Sequence, residues 1–166
     1  MCKCNNIYKY SESGLHHECG VLGIYGVPDA ANLAYYGLHA LQHRGQQGCG
    51  IVSVDSEGEF HRFRGDGLVT EVFNEDKISK LQGNMAIGHV RYSNAKCKGT
   101  ENIQPFLFHH NSGDFAMANN GQIANYVQLR LELEDKGSLF QSASDAEVIA
   151  HLIKKQGTDK TLPRIH

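Results

Sequence analysis

The stretch Cys19-Gly20-Val21-Leu22-Gly23-Ile24-Tyr25 reads as a buried β-strand that opens on a cysteine. A cysteine at the start of an apolar strand is positioned by the fold. Cleavage of the Glu18–Cys19 bond would leave an α-amine beside that thiol. A thiol has an ordinary pKa of about 8.5 and an α-amine one of about 7.7–8.0, so such an amine works as a general base near neutrality. One residue then supplies both nucleophile and base. Taken alone, a cysteine in a strand reads as a small buried hydrophobe, so the rest of the chain has to supply what such a nucleophile needs.

The 166 residues suffice for one domain with a real core. A net charge of −2 with 20% charged residues leaves no electrostatic footprint for nucleic acid or membrane. No apolar run approaches a membrane span. Residues 1–18 are polar, carry Lys3, Lys9, Glu12 and Glu18, and lack an apolar core, so they read as a leader or propeptide and not as a secretory signal. The cysteines Cys2, Cys4, Cys19, Cys49 and Cys97 are odd in number and irregularly spaced. That pattern argues against a disulfide framework and for a reducing, cytoplasmic setting.

Along the chain, Pro28-Asp29 starts a helix with Asp29 at its N-cap and with Leu33, Tyr36, Ala40 and Leu41 on one stripe. It stops at Gly45. Gly50–Val54 and Glu59–Arg64 read as a hairpin about Ser56-Glu57-Gly58. A short helical piece spans Leu68–Phe73, and Met85–Tyr92 is a strand. Ser93–Asn102 has no period and reads as a mobile loop. Phe106–Phe108 and Phe115–Asn119 are short strands. Asn125–Lys136 is a helix closed by Gly137, and Ser144–Gln156 is another, with Ser144 and Glu147 spaced as a capping box. Strands dominate before residue 120 and helices after it, which gives a layered α+β domain. The chain closes at Thr158–His166 without another strand, so a sheet that needs later strands is expected to be incomplete.

Four further features carry chemistry. Gln42-His43-Arg44-Gly45-Gln46-Gln47-Gly48 is a polar, glycine-rich turn whose local reading is a helix C-cap and loop. Arg91 ends an apolar strand and offers a planar fork suited to a carboxylate, although strand-end arginines are commonly just solvated. Asn120-Gly121 places a side-chain amide next to a glycine N–H, a donor pair for a developing oxyanion. An Asn-Gly hairpin turn accounts for the same residues. Asp145 sits in the first turn of a helix, where the helix dipole already favours a carboxylate. Each feature alone has an ordinary structural explanation. Together, a thiol, a carboxylate clamp, an oxyanion pair and an ammonium acceptor are what hydrolysis of the side-chain amide of a free amino acid requires.

The motifs Glu18-Cys19-Gly20-Val21, Tyr36-Gly37-Leu38-His39-Ala40-Leu41-Gln42-His43-Arg44-Gly45-Gln46 and Gly67-Leu68-Val69-Thr70-Glu71-Val72-Phe73 run in order along the chain. They are followed by Ile87-Gly88-His89-Val90-Arg91-Tyr92-Ser93, Gln104-Pro105-Phe106, Asn120-Gly121 and Ser144-Asp145-Ala146-Glu147-Val148. With these motifs the chain resembles the N-terminal glutaminase domain of the amidophosphoribosyltransferase (glutamine phosphoribosylpyrophosphate amidotransferase) family, class-II amidotransferases with an N-terminal nucleophile. Other class-II domains share the Cys-Gly opening and the Asn-Gly pair. They usually read Arg-Trp-Ala-Thr where this chain reads Arg91-Tyr92-Ser93-Asn94, so the purine-synthesis branch is favoured.

The resemblance implies a four-layer αββα N-terminal-nucleophile hydrolase domain over residues 19–166, C-terminally truncated, after a leader at 1–18. Cys19 would be the nucleophile and its freed amine the base. Asn120 and Gly121 would form the oxyanion hole, Arg91 would take the α-carboxylate of L-glutamine and Asp145 its α-ammonium. Arg44 and Gly45 would line the pocket, and Tyr92 to Asn102 would close over it. The ammonia would pass to a phosphoribosyltransferase domain that these residues do not include. That domain would hold the magnesium ion and any iron–sulfur cluster, leaving no metal or cofactor for this chain. Homo-oligomerisation stays open. Three departures from the family pattern stand out: Asn119 where a histidine is usual, Asn94-Ala95-Lys96 in place of Thr-Ala-Gly, and the missing later strands and second domain. A non-catalytic fragment, the glutaminase domain of another class-II enzyme, and a small redox or metal module built on Cys2, Cys4, Cys49 and Cys97 are the alternatives.

Overall fold

The strand that opens at Gly20 pairs with a segment more than sixty residues away, and that pairing organises the domain. The computed structural model describes residues 19–92, 100–111 and 113–156, with Lys155 and Gln156 through their backbone alone. The leader, the segment 93–99 with Cys97, residue 112 and the end from 157 onward lie outside the described residues. Strands β1 (Gly20–Tyr25), β2 (Gly48–Val54), β3 (Phe60–Asp66) and β4 (Met85–Arg91) form one antiparallel sheet in the order β1-β4-β2-β3. The register sets Gly20 opposite Val90, Cys49 opposite Val90 and Gly50 opposite His89. Residues directly opposite one another share a face. Cys49, Ile51, Ala86 and Val90 thus point one way with Leu22 and Ile24, and Gly48, Gly50, Ile87 and His89 point the other.

Helix α1 (Ala30–Ala40) covers the first face. Its buried residues are Ala30, Ala31, Ala34 and Leu38, whereas Leu33 is 47% and Tyr36 67% exposed. This corrects the expected stripe. The helix lies so close to the sheet that a Cβ at Gly37 would fall 2.3 Å from Leu22 Cδ2. Small side chains therefore line the interface and the large ones turn outward. Asp29 occupies the N-cap position, but with φ 55 and ψ 38 it makes no side-chain cap. A capping carboxylate needs an extended backbone to reach the N2 and N3 amides. Here Asp29 meets the amides of Asn32 and Leu33 with its carbonyl instead, and Gly83 accepts the N–H of Ala30.

The β2–β3 hairpin forms as expected. Asp55 accepts the N–H groups of Glu57 and Glu59 at 2.9 Å each, and Gly58 takes φ 86. Two short helices, α2 (Val69–Val72) and α3 (Glu75–Ser79), lead from β3 toward β4. The Asn74 carboxamide oxygen caps α3 by accepting the Lys77 N–H.

The second face of the main sheet carries the segment 103–105. A Cβ on Gly50 would fall 2.4 Å from the Gln104 carbonyl oxygen, and one on Gly48 2.7 Å from Ile103 Cδ1. That segment opens a second antiparallel sheet, β5 (Phe106–Phe108) with β6 (Phe115–Met117). Helices α4 (Tyr126–Asp135) and α5 (Asp145–Gln156) follow. Phe108 stacks on Phe115, and Lys154 of α5 sits over the Phe115 ring at 4.8 Å. Arg130 of α4 and His151 of α5 both contact Phe140. In space, α1 covers one face of the four-stranded sheet, the segment leading into the two-stranded sheet covers the other, and α5 meets the two-stranded sheet through Lys154 and Phe115, consistent with the αββα expectation. Gly137, at φ 89, closes α4 by donating to Glu134 O. The capping box at α5 is not formed. Glu147 is only 3% exposed and accepts the N–H groups of Gln141 and Ser142 and the Ser142 hydroxyl, while the Ser144 amide goes to Ser142 Oγ. The chain curls back ahead of the helix and brings earlier amides within reach of the carboxylate.

Candidate active site

Cys19 lies at the head of β1 and is half-buried. Its sulfur meets the backbone of Tyr92, the residue after β4. The Tyr92 N–H donates to Sγ at 3.3 Å, and the thiol points to the Tyr92 carbonyl at 3.5 Å. The antiparallel β1–β4 register brings the start of one strand to the end of the other, which is why residues 73 apart in sequence touch. The Cys19 carbonyl accepts from Arg44 Nε at 3.2 Å. Arg44 closes the short 3-10 turn Gln42–Arg44 that follows α1.

Gly45 fits against β4 so tightly that a Cβ would lie 2.5 Å from the Arg91 carbonyl carbon and 2.9 Å from the Tyr92 nitrogen. The Arg91 carbonyl accepts the Gln47 N–H. Gln42 holds this loop from both ends of its side-chain amide, donating to the Gly45 carbonyl and accepting the Val69 N–H at 2.7 Å. A cavity of about 190 Å³ opens here, lined by His43, Gly45, Gln46, Gln47 and Tyr92. The structure thus brings Cys19, Arg44, Gly45 and the Arg91 end of β4 together at one end of the main sheet.

A second group gathers around Asn119–Gly121. Neither Asn120 nor Gly121 has a positive φ. A type I′ hairpin needs φ above zero at both central residues, so the Asn-Gly pair is not that turn. It lies on the irregular link between β6 and α4 and is exposed. The Asn119 N–H donates to Gln104 Oε1 at 2.6 Å, and the Ile123 N–H donates to Asp145 Oδ2 at 2.8 Å. Asp145 is the first residue of α5.

His89 stands between the groups. It is fully buried on β4, two residues before Arg91 and opposite Gly50, against which Gln104 packs. Neither ring nitrogen makes a hydrogen bond. Burial pushes its pKa down to about 4; the nearby Arg91 charge adds to the fall and the Asn119 backbone opposes it. His89, Gln104 and Gln42 stand within the motifs without a role having been read for them, and Tyr92, read as the start of the closing loop, holds the thiol through its backbone. The visible signal for the first two is a polar side chain set among strand residues with no local partner.

Burial pushes the Cys49 thiol up to about 12, so it stays protonated in the core. Among the described residues no three His, Cys, Asp or Glu side chains come together. Nor is any described helix long and apolar enough to cross a membrane.

A family model described as a glutamine amidotransferase domain matches residues 75–166. The amidophosphoribosyltransferase of Bacillus subtilis is 53% identical over 145 residues, covering 87% of this chain and 30% of that protein. The amidophosphoribosyltransferase of Lacticaseibacillus casei is 49% identical over 148 residues, covering 89% of this chain and 76% of that protein. The solved structure of the B. subtilis glutamine phosphoribosylpyrophosphate amidotransferase, complexed with ADP and GMP, matches with a TM-score of 0.76 and 51% identity over 82% of this chain and 29% of that one. The chain therefore spans about a third of the length of the Bacillus relative.

Proposed function

The chain belongs to the glutamine amidotransferase domains of the amidophosphoribosyltransferase family, and from that membership we propose that it hydrolyses L-glutamine to glutamate and ammonia. The observation that carries this reading is the seating of Cys19. Its sulfur is fixed against the Tyr92 backbone and its carbonyl is fixed by Arg44, at the edge of a cavity and beside the strand end that bears Arg91.

In this reading the Glu18–Cys19 bond is cut first, and the freed α-amine takes the thiol proton. The sulfur attacks the side-chain amide carbon, a C–S bond forms, and the carbonyl electron pair moves to oxygen. Asn120 and the Gly121 N–H receive that oxyanion. Collapse breaks the C–N bond, the proton held by the amine goes to the leaving nitrogen, and ammonia departs to leave a thioester. Water, deprotonated by the same amine, attacks the thioester carbon. Breaking the C–S bond then releases glutamate and restores the thiol. Arg91 holds the α-carboxylate and Asp145 the α-ammonium, charges that do not change during the reaction. Arg44 acts through the Cys19 carbonyl, and Gly45 leaves room for the cavity wall.

The ammonia is assigned to the formation of 5-phosphoribosylamine from phosphoribosyl pyrophosphate, the first step of purine synthesis. A phosphoribosyltransferase domain outside these residues would carry that step, with its magnesium ion and any iron–sulfur cluster. The irregular cysteine set supports a cytoplasmic setting.

The test is intact-mass measurement with and without a glutamine-analogue electrophile. One adduct is expected, mapping to Cys19 and absent from Cys49. Cys19→Ala should lose both the adduct and ammonia release at a stability cost of about 1–2 kcal/mol. Ammonia release by Cys19→Ala at the wild-type rate would overturn the assignment.

A further inference from the structure

Gln104 is a buried amide, 8% exposed, with an acceptor oxygen aimed at one particular N–H. Its Oε1 takes the Asn119 amide at 2.6 Å, a short contact for a neutral pair. Its own backbone is fixed: the Gln104 carbonyl and the Pro105 ring lie on Gly50 of β2, where no side chain fits between them and the strand. The main sheet thus holds Gln104, and Gln104 holds Asn119, the residue just before Asn120-Gly121. On the far side of the pair, Asp145 takes the Ile123 N–H. The Asn120-Gly121 pair is exposed and belongs to no strand or helix, so these two anchors tie the link that carries it to the sheet and to α5.

We propose that Gln104 is a positioning residue for the amide hydrolysis, setting the oxyanion donors through the Asn119 backbone. The inference rests on the reading of Asn120 and Gly121 as those donors. Gln104 touches no reacting atom in this scheme. Its effect falls on transition-state stabilisation and hardly on binding of the substrate's charged ends, which Arg91 and Asp145 serve.

The experiment is steady-state glutaminase kinetics on the chain once Cys19 has become its N-terminal residue, with three variants, each checked by thermal melting, together with amide hydrogen exchange. Gln104→Met keeps the volume and loses the acceptor. Gln104→Asn keeps an amide one methylene short of reach. Gln104→Glu keeps an oxygen at the same reach. Met and Asn are expected to lower kcat by roughly 10- to 100-fold, the scale of a small misplacement. KM should move by less than about threefold, as for an interaction made in the transition state. Glu should recover most of kcat, and the Asn119 amide should exchange faster in the Met and Asn variants than in wild type. If Gln104→Met fails to fold, the Asn variant carries the comparison. Unchanged kcat in the folded Asn variant, with wild-type turnover intact, overturns this inference alone. Absence of glutamine turnover by wild-type protein whose N-terminal residue is Cys19 overturns it together with the amidotransferase reading.

Discussion

Asp145 accepts the Ile123 N–H through Oδ2 at 2.8 Å, which joins the first residue of α5 to the chain two residues past Gly121. In the proposed reaction this one carboxylate would serve two ends. Its charge suits the substrate ammonium, and its Oδ2 bond steadies the oxyanion segment. The two roles separate by substitution. Asp145→Asn retains an acceptor for Ile123 but loses the charge, so it should raise KM by roughly 10- to 100-fold with little change in kcat. Asp145→Ala loses both and should lower kcat as well. Kinetics of the pair decide the matter. Identical behaviour of Asn and Ala would show that the Ile123 bond contributes nothing to the rate.

Gly45 is extended, at φ −163, so alanine there meets no conformational penalty. The obstacle is steric, because the added methyl would fall 2.5 to 2.9 Å from the backbone atoms of Arg91 and Tyr92. Those atoms cannot rotate away as a side chain would. Gly45→Ala should therefore cost about 1–3 kcal/mol, as other overpacked sites do. It should also depress glutamine turnover, since Tyr92 carries the amide that holds Cys19 Sγ. Gly23→Ala is the control, because a Cβ there meets nothing within 4 Å. Denaturant melts and turnover of the two variants check the claim, and equal behaviour would defeat it.

These contacts also show what could be read from the chain and what could not. Strands β1, β2 and β4 were legible as short, largely apolar runs bounded by turn residues, and the polar β3 followed as the return arm of the hairpin about Ser56-Glu57-Gly58. The buried face of α1 was not. Hydrophobicity marks Leu33 and Tyr36, while close approach to the sheet selects Ala30, Ala31, Ala34 and Gly37 instead. Within the site, Cys19, Arg44, Gly45 and Arg91 stood out as motif residues, and the β1–β4 register explains why they meet. Gln104 and His89 did not stand out. A buried polar group gains meaning only from its surroundings: Gln104 is bonded to Asn119, 15 residues away, and His89 is buried without a hydrogen-bonding partner, neither of which a local pattern encodes. Glu147 illustrates the same point: its spacing from Ser144 suggested a cap, and the fold gave its carboxylate to Gln141 and Ser142.

His89 predicts a pH dependence whose sign follows from its depressed pKa. Folded, it gains a proton only near pH 4; unfolded, it gains one near the ordinary value of 6.5. Between those values the unfolded chain binds more protons, so acid favours unfolding. The destabilisation from this group is absent above about pH 6.5, grows as pH falls and levels off below about 4, reaching on the order of 3 kcal/mol. A non-titrating His89→Gln variant should therefore lose less stability than wild type between pH 7 and pH 4. Urea midpoints of both proteins at pH 7, 5.5 and 4 provide the check. Parallel losses would mean that His89 is not held neutral.

The last prediction concerns Glu18 and Cys19. While residue 18 is attached, the nitrogen of Cys19 is an amide, which cannot accept the thiol proton, so the base of the proposed reaction is missing. The uncut 166-residue chain should then release little ammonia from glutamine. The same sulfur lies one residue's reach from the Glu18 carbonyl. Attack there, transfer of the acyl group from nitrogen to sulfur and hydrolysis of the resulting thioester would free the amine without a protease. Activity should thus rise in step with the appearance of Cys19 as the N-terminal residue, and Cys19→Ala should remain uncut. A chain that starts at Cys19 from the outset should be active at once. Parallel N-terminal sequencing and glutaminase assays over an incubation would follow both events. Full turnover by protein that still begins at Met1 would rule out the α-amine as the base.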